Sequence, residues 1–237
     1  MSVQPLAQRL GAEFIGSAFL LAAVIGSGIM GARLAGGNEA LALLANTLAT
    51  GAILVVLITM LAPVSGAHFN PAVTGVFYLR GDIGARDAAL YVVAQIGGAL
   101  VGVAAAHAMF ELPLWQVGVK MRSGSGQWLA EGIATFGLLL TILATLKARA
   151  AAVPMAVGLY IISAYWFTAS TSFANPAVTI ARAFSDTFAG IRLGDVPAFI
   201  AAQLLGAVCG LLVVRWLYAP RLDGADALGA AEPLEQQ

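Results

Sequence analysis

Charge is what this chain has least of: 10% of its 237 residues are charged, against roughly 25% in ordinary soluble domains. The 12 Lys and Arg are matched by 12 Asp and Glu. No basic run exceeds two residues, so nothing points to nucleic acid or to a polybasic lipid site. A single cysteine, Cys209, excludes an internal disulfide and reads as a small core residue of the last apolar stretch. Only two histidines occur, His68 and His107, and neither has Cys, His or Asp nearby to complete a metal site. His107, near a helix end, is expected at the interface. Ser/His, Cys/His and paired-acid arrangements at catalytic spacing are also missing, which argues against an enzyme, and no cofactor is implied.

What is abundant is apolar surface, at 60% of residues. A spanning helix needs about 20 mostly apolar residues, and six stretches qualify: 9–29, 40–62, 88–110, 127–147, 153–170 and 196–218. The fifth is the least sharply bounded. The first reads as a retained helix and not a cleaved signal, because it is long and no polar mature segment follows a small-residue cleavage site. An N-terminus on the cytoplasmic side places Arg9, Arg80, Arg86, Lys147, Arg149, Arg215 and Arg221 inside, against Arg33, Lys120, Arg122, Arg182 and Arg192 outside. Residues 221–237, with Asp223, Asp226, Glu232 and Glu235 and little periodicity, read as a disordered cytoplasmic tail after a single domain over 1–220.

Within that domain the chain repeats itself. Asn-Pro-Ala-Val-Thr runs from Asn70 to Thr74 and again from Asn175 to Thr179. At about 5% usage per residue type, chance recurrence is on the order of one in 10^6 positions. Ala12-Glu13 opens the first span and Ala130-Glu131 the fourth, while Gln95 marks the third and Gln203 the sixth. Halves of about 1–118 and 119–220 thus each read Glu, Asn-Pro-Ala-Val-Thr, Gln. Three crossings per half is an odd number, so the second half starts on the opposite side of the bilayer and the repeat is inverted.

The ten residues from Asn70 to Leu79 make about 15 Å of helix, half of a 30 Å hydrocarbon core. Such a segment dips in without crossing. Its leading loop must then be buried in protein or line a wet cavity, and the same holds for the loop before Asn175. Asn is a strong N-cap and Pro fits the first helical position, where its missing N–H has no intrahelical acceptor. Two such helices meeting by their N-termini bring two positive dipole ends, each about half an elementary charge, to one point that repels cations. The amides of Asn70 and Asn175 are then free to donate to a passing water or hydroxyl. Asn70, Pro71, Ala72, Asn175, Pro176 and Ala177 are the expected pore centre.

The segment from Ser65 through Gly66, Ala67, His68 and Phe69 into Asn70, Pro71, Ala72, Val73 and Thr74 closely resembles the first signature of the major intrinsic protein family, the aquaporins and aquaglyceroporins. The resemblance covers the chain to about Tyr218. It implies an all-α membrane protein with six tilted spanning helices plus two re-entrant half-helices, a pore in each protomer, and a homotetramer in an inner cell membrane. It also implies that Glu13 and Glu131 accept hydrogen bonds from the dipping loops; as ionisable groups in apolar spans they would otherwise suggest a proton relay. His68 is expected to orient the first loop or to line the cytoplasmic half of the pore.

One position departs from the family pattern. Relatives usually carry Arg directly after the second Asn-Pro-Ala, and here Val178 stands there, which removes a charge and five donors. Alignment puts Thr50 and Ser172 at two other filter positions and leaves Ser163 and Tyr165 both open for the fifth helix. Arg182 lies four residues after Val178 on the same helix face. It is open between partly replacing the lost charge at the vestibule and pairing with Asp186, its own i+4 neighbour. A filter so composed is wider and less cationic than a water-only filter and resembles that of bacterial members linked to metalloid resistance. The expected function is passive passage of small uncharged solutes, arsenous acid with glycerol or water. A water-selective channel is the first alternative; an ion-coupled secondary transporter, and then a non-conducting adhesion protein, are the others.

Overall fold

In the computed structural model, which describes residues 4–219, the chain is all-helical. The expected tail over 221–237 lies outside the described residues. Six long helices appear: α1 (Leu6–Leu34), α2 (Glu39–Ser65), α4 (Ala85–Met109), α5 (Ser125–Arg149), α6 (Val153–Phe167) and α8 (Val196–Leu217). Between α2 and α4 lies the short α3 (Pro71–Arg80), and between α6 and α8 the shorter α7 (Pro176–Arg182). The loosely bounded fifth span resolves into α6, 15 residues long, joined to α5 by a 3-10 turn at Ala150–Ala152.

Both short helices begin as their sequence dictates. Asn70 and Asn175 sit in extended backbone as N-caps, each side chain accepting from the amide two residues on, Ala72 N and Ala177 N, at 2.9 Å. Pro follows at the first helical position in each. The first half-helix closes on Gly81 in the left-handed conformation (φ 85°), a geometry glycine adopts without steric cost. The second ends after seven residues at Ala183 and is the shorter of the pair.

Packing follows the inverted repeat. The most extensive helix pairs are α1 with α4 and its counterpart α5 with α8. Each half-helix also packs on the last helix of the opposite half, α3 on α8 and α7 on α4, so neither half is complete alone. Small residues permit the close crossings. A Cβ at Gly98 would overlap the carbonyl of Phe14, and one at Gly206 that of Gly132.

The burial pattern is that of a protein dissolved in lipid. Glu13, Gln95, Thr74, Glu131, Gln203 and Thr179 have no accessible surface, while Phe19, Val93, Leu205 and Trp216 face outward. Cys209 corrects its expected place: it is exposed on α8, not in the core. Lipid tails are as apolar as a core, so a small apolar side chain has no preference between the two. His107 lies in the last turn of α4. It is fully buried, with Nδ1 2.9 Å from Leu114 O and Nε2 2.9 Å from Ser185 Oγ, and joins the loop after α4 to the segment after α7.

The α5–α8 crossing makes a direct test. Gly206→Ala should lower stability by about 1–3 kcal/mol through overpacking against Gly132. Gly11→Ala, whose Cβ meets nothing within 4 Å, should be neutral or slightly stabilising. Thermal melting of the detergent-solubilised variants followed by size-exclusion chromatography reads both.

Candidate functional site

The two loops that dip to the half-helices are strained in the same way. Ala67 (φ 52°) and Phe69 (φ 49°) lie three and one residues before Asn70; Ser172 (φ 49°) and Ala174 (φ 48°) lie three and one before Asn175. Non-glycine residues in the left-handed region cost roughly 1–2 kcal/mol each, so something must hold them. The spanning glutamates do. Glu13 accepts from His68 N (2.9 Å), Phe69 N (2.7 Å), Ser65 Oγ (2.6 Å) and Gln95 Nε2 (2.8 Å). Glu131 accepts from Phe173 N (2.8 Å), Ala174 N (2.9 Å) and Gln203 Nε2 (2.6 Å).

The threonine closing each pentapeptide completes the arrangement. Gln95 Nε2 also donates to Thr74 Oγ1 (2.9 Å), and Gln203 Nε2 to Thr179 Oγ1 (2.8 Å). Each loop is thus tied through one carboxylate and one amide to its own half-helix and to two spanning helices. Every one of these contacts to Glu13 and Glu131 is a donor, and both carboxylates are thereby tied to the dipping loops.

The two Asn-Pro-Ala segments meet. Asn70 Nδ2 donates to Ala174 O (2.7 Å) and Asn175 Nδ2 to Phe69 O (2.8 Å), so each side chain grips the loop of the opposite half. This modifies the expectation of wholly free amides: one N–H of each is spent on the junction, and the second remains. Both Asn line a central chamber of about 60 Å³, room for a short file of waters. Pro71, Ala72, Pro176 and Ala177 build the helix starts but do not line it; the next residues, Val73 and Val178, do. Towards one face His68 and Val73 also border a second cavity of about 650 Å³. His68 Nδ1 lies 3.0 Å from Thr74 Oγ1, so it both braces the loop and lines the passage.

Of the expected filter residues, Thr50, Tyr165, Ser172 and Val178 converge on the chamber. Tyr165 Oη donates to Thr50 Oγ1 at 3.3 Å, while Ser172 Oγ is buried without a partner. Ser163 is excluded: it is exposed and donates to Tyr160 O at 2.8 Å, because two residues of helix turn it about 200° from Tyr165. Arg182 does not pair with Asp186. Fully buried, it donates through Nε to Ala189 O, and its guanidinium carbon lies 3.4 Å from the Phe173 ring centre.

Sequence reasoning missed Arg122. It sits in the loop after α4, buried, with Nε on Gly190 O (3.0 Å), Nη1 on Ser170 O (3.1 Å) and its backbone N on Asp195 Oδ2 (2.8 Å). Its guanidinium stacks 4.9 Å from the Phe173 ring. Burial pushes it down to about 10, against the pull of the Glu131 carboxylate, so it stays cationic at neutral pH. Lys120 is lowered by burial and then by the Arg122 charge. No spacing rule marks a loop arginine that folds back across some 50 residues to Ser170.

Glu131→Gln tests the support. An amide offers one acceptor and turns a donor toward Phe173 N, Ala174 N and Gln203, at a cost of about 3 kcal/mol. Melting temperature and flux per reconstituted protein should both fall; a stable, conducting variant would show that the carboxylate is dispensable.

Comparison with known proteins agrees with this geometry. The chain is 59% identical over 215 residues to aquaglyceroporin AqpS of Rhizobium meliloti, covering 91% of this chain and 92% of the relative. It is 30% identical over 217 residues to the probable aquaporin TIP2-2 of Oryza sativa subsp. japonica, covering 87% and 86%. In fold it superposes on the aquaglyceroporin of Plasmodium falciparum with a TM-score of 0.74, at 21% identity, covering 93% of this chain and all of the other. The model of the family described as major intrinsic protein matches residues 1–170 and 147–234. Paired carboxylate-held loops, capped half-helices and family match agree: the chain belongs to the major intrinsic protein family, whose members are passive channels and not enzymes.

Proposed function

We propose that the protein conducts small uncharged hydroxylated solutes, metalloid hydroxides such as arsenous acid together with glycerol and water, passively across an inner cell membrane. The observation that carries this reading is the wall of the central chamber: Thr50, Tyr165 and Ser172 offer hydroxyls, Asn70 and Asn175 offer amides, and Val178 offers methyl groups where an arginine would narrow the passage. A solute with several hydroxyls can exchange water contacts for these groups while its carbon or metalloid centre slides along Leu20, Val24, Leu54 and Val157. The facing half-helix N-termini oppose cations. High identity to a protein named an aquaglyceroporin supports the same class.

A water-selective pore is the second reading, favoured by the small chamber of about 60 Å³. The protein is further taken as a homotetramer with both termini cytoplasmic, on the family pattern and on the seven-to-five excess of Lys and Arg on that side. Chemical cross-linking reads the first, and protease access in oriented vesicles the second.

Stopped-flow light scattering on proteoliposomes should show water, glycerol and arsenous acid all crossing without saturation. Val178→Arg should lower glycerol and arsenous acid about tenfold, a barrier rise of about 1.4 kcal/mol, with water less affected. Water flux alone in the parent protein would leave the water-selective reading; unchanged glycerol and arsenous acid flux in the variant would remove Val178 from the filter.

A further inference from the structure

The central chamber and the cavity on its outer side, of about 370 Å³, have one lining residue in common, Arg182. Val178 lines the inner chamber only. Arg182 therefore stands between the two spaces, one helical turn beyond Val178.

Its surroundings fix it there while leaving part of it unused. Nε is spent on Ala189 O and the flat face on the Phe173 ring, which Phe199 braces edge-on at 5.3 Å. Nη1 is buried and has no partner. A charged donor left unpaired in a water-poor site is costly, and a structural arginine at a helix end ordinarily finds carbonyls for all its N–H groups. Asp186, the nearest acid in sequence, is exposed and makes no ion pair among the described residues. Charged groups lining the outer cavity are Lys120, Arg122 and Arg182 against the single carboxylate of Glu39. Arg122 stacks on the same Phe173 ring and ties down Ser170, so it positions the loop that carries Ser172.

We propose that Arg182 is a further specificity-determining residue of the outer pore, one helical turn beyond Val178: its guanidinium forms the outer constriction and offers the oxygen of an entering neutral solute the donor that the protein leaves unpaired. The inference rests on the channel reading above. A solute oxygen meets Nη1 while its remaining hydroxyls meet Ser172 Oγ, which is also buried without a partner. Cations meet three positive groups before they reach the half-helix dipoles, which restores at residue 182 the charge barrier that Val178 lacks.

The test is permeability of proteoliposomes carrying equal amounts of parent, Arg182→Leu or Arg182→Gln protein, for water, glycerol and a larger linear polyol, with potassium conductance measured on the same vesicles. Opening the constriction should raise the polyol-to-water ratio about fivefold and produce a potassium leak absent from the parent, more in the Leu variant than in the Gln variant. A purely structural role would lower all fluxes together with ratio and leak unchanged, and that outcome overturns the inference. Where Arg182→Leu fails to reconstitute, Arg182→Gln carries the same two readouts. A parent protein that passes neither water nor glycerol removes the channel reading itself; a conducting parent, water alone included, with unaltered variants removes only the role of Arg182.

Discussion

Backbone cannot lie unpaired at the centre of a bilayer, and the two buried carboxylates of Glu13 and Glu131 are the answer this chain gives to that constraint. Each gathers the amides of a loop whose residues stand in the left-handed region and whose own geometry allows no helical partner. Remove that acceptor and the loop has no reason to keep its turn. The capped Asn then loses its place, and with it the meeting of the two half-helices.

Everything else at the midplane is built outward from this pair. Gln95 and Gln203 hold their carboxylates and donate to the threonine of the pentapeptide, which explains why the repeat extends to Thr and does not stop at Ala. The asparagines reach across the pseudo-twofold axis to each other's loops, so the halves are locked at the point where solute must pass. The lumen inherits what remains: one N–H of each asparagine, three hydroxyls and a wall of aliphatic side chains. Neutral molecules with oxygen atoms match that list, whereas ions would exchange full hydration for far less.

The two halves diverge outside the midplane. The first half-helix runs ten residues and the second seven, and the space left by the shorter one is filled by the loop carrying Arg122, paired by backbone to residues 183–192. The asymmetry makes the cavity beside Arg122 cationic, with Lys120, Arg122 and Arg182 against Glu39. The opposite cavity is wider and lined mainly by apolar groups with His68. The two halves thus share the support of the midplane and differ in what borders its two ends.

Hydropathy, helix-length arithmetic and the doubled pentapeptide by themselves determined the number of spans, the half-helices, their capping and the inverted arrangement, because each follows from local chain geometry and from the thickness of the bilayer. Glu13 and Glu131 were legible through the repeat, while Thr50, Ser172 and Val178, which line the chamber, were found through the family resemblance. Only the tertiary structure turned Tyr165 and not Ser163 to the chamber, turned Cys209 to the outside, buried His107, sent Arg182 to Ala189 instead of Asp186 and brought Arg122 to the loop before Asn175. The physical reason is common to all five. A helix apolar on every side carries little amphipathic signal to fix its rotation, and a loop side chain finds its acceptors through packing between segments far apart in the chain.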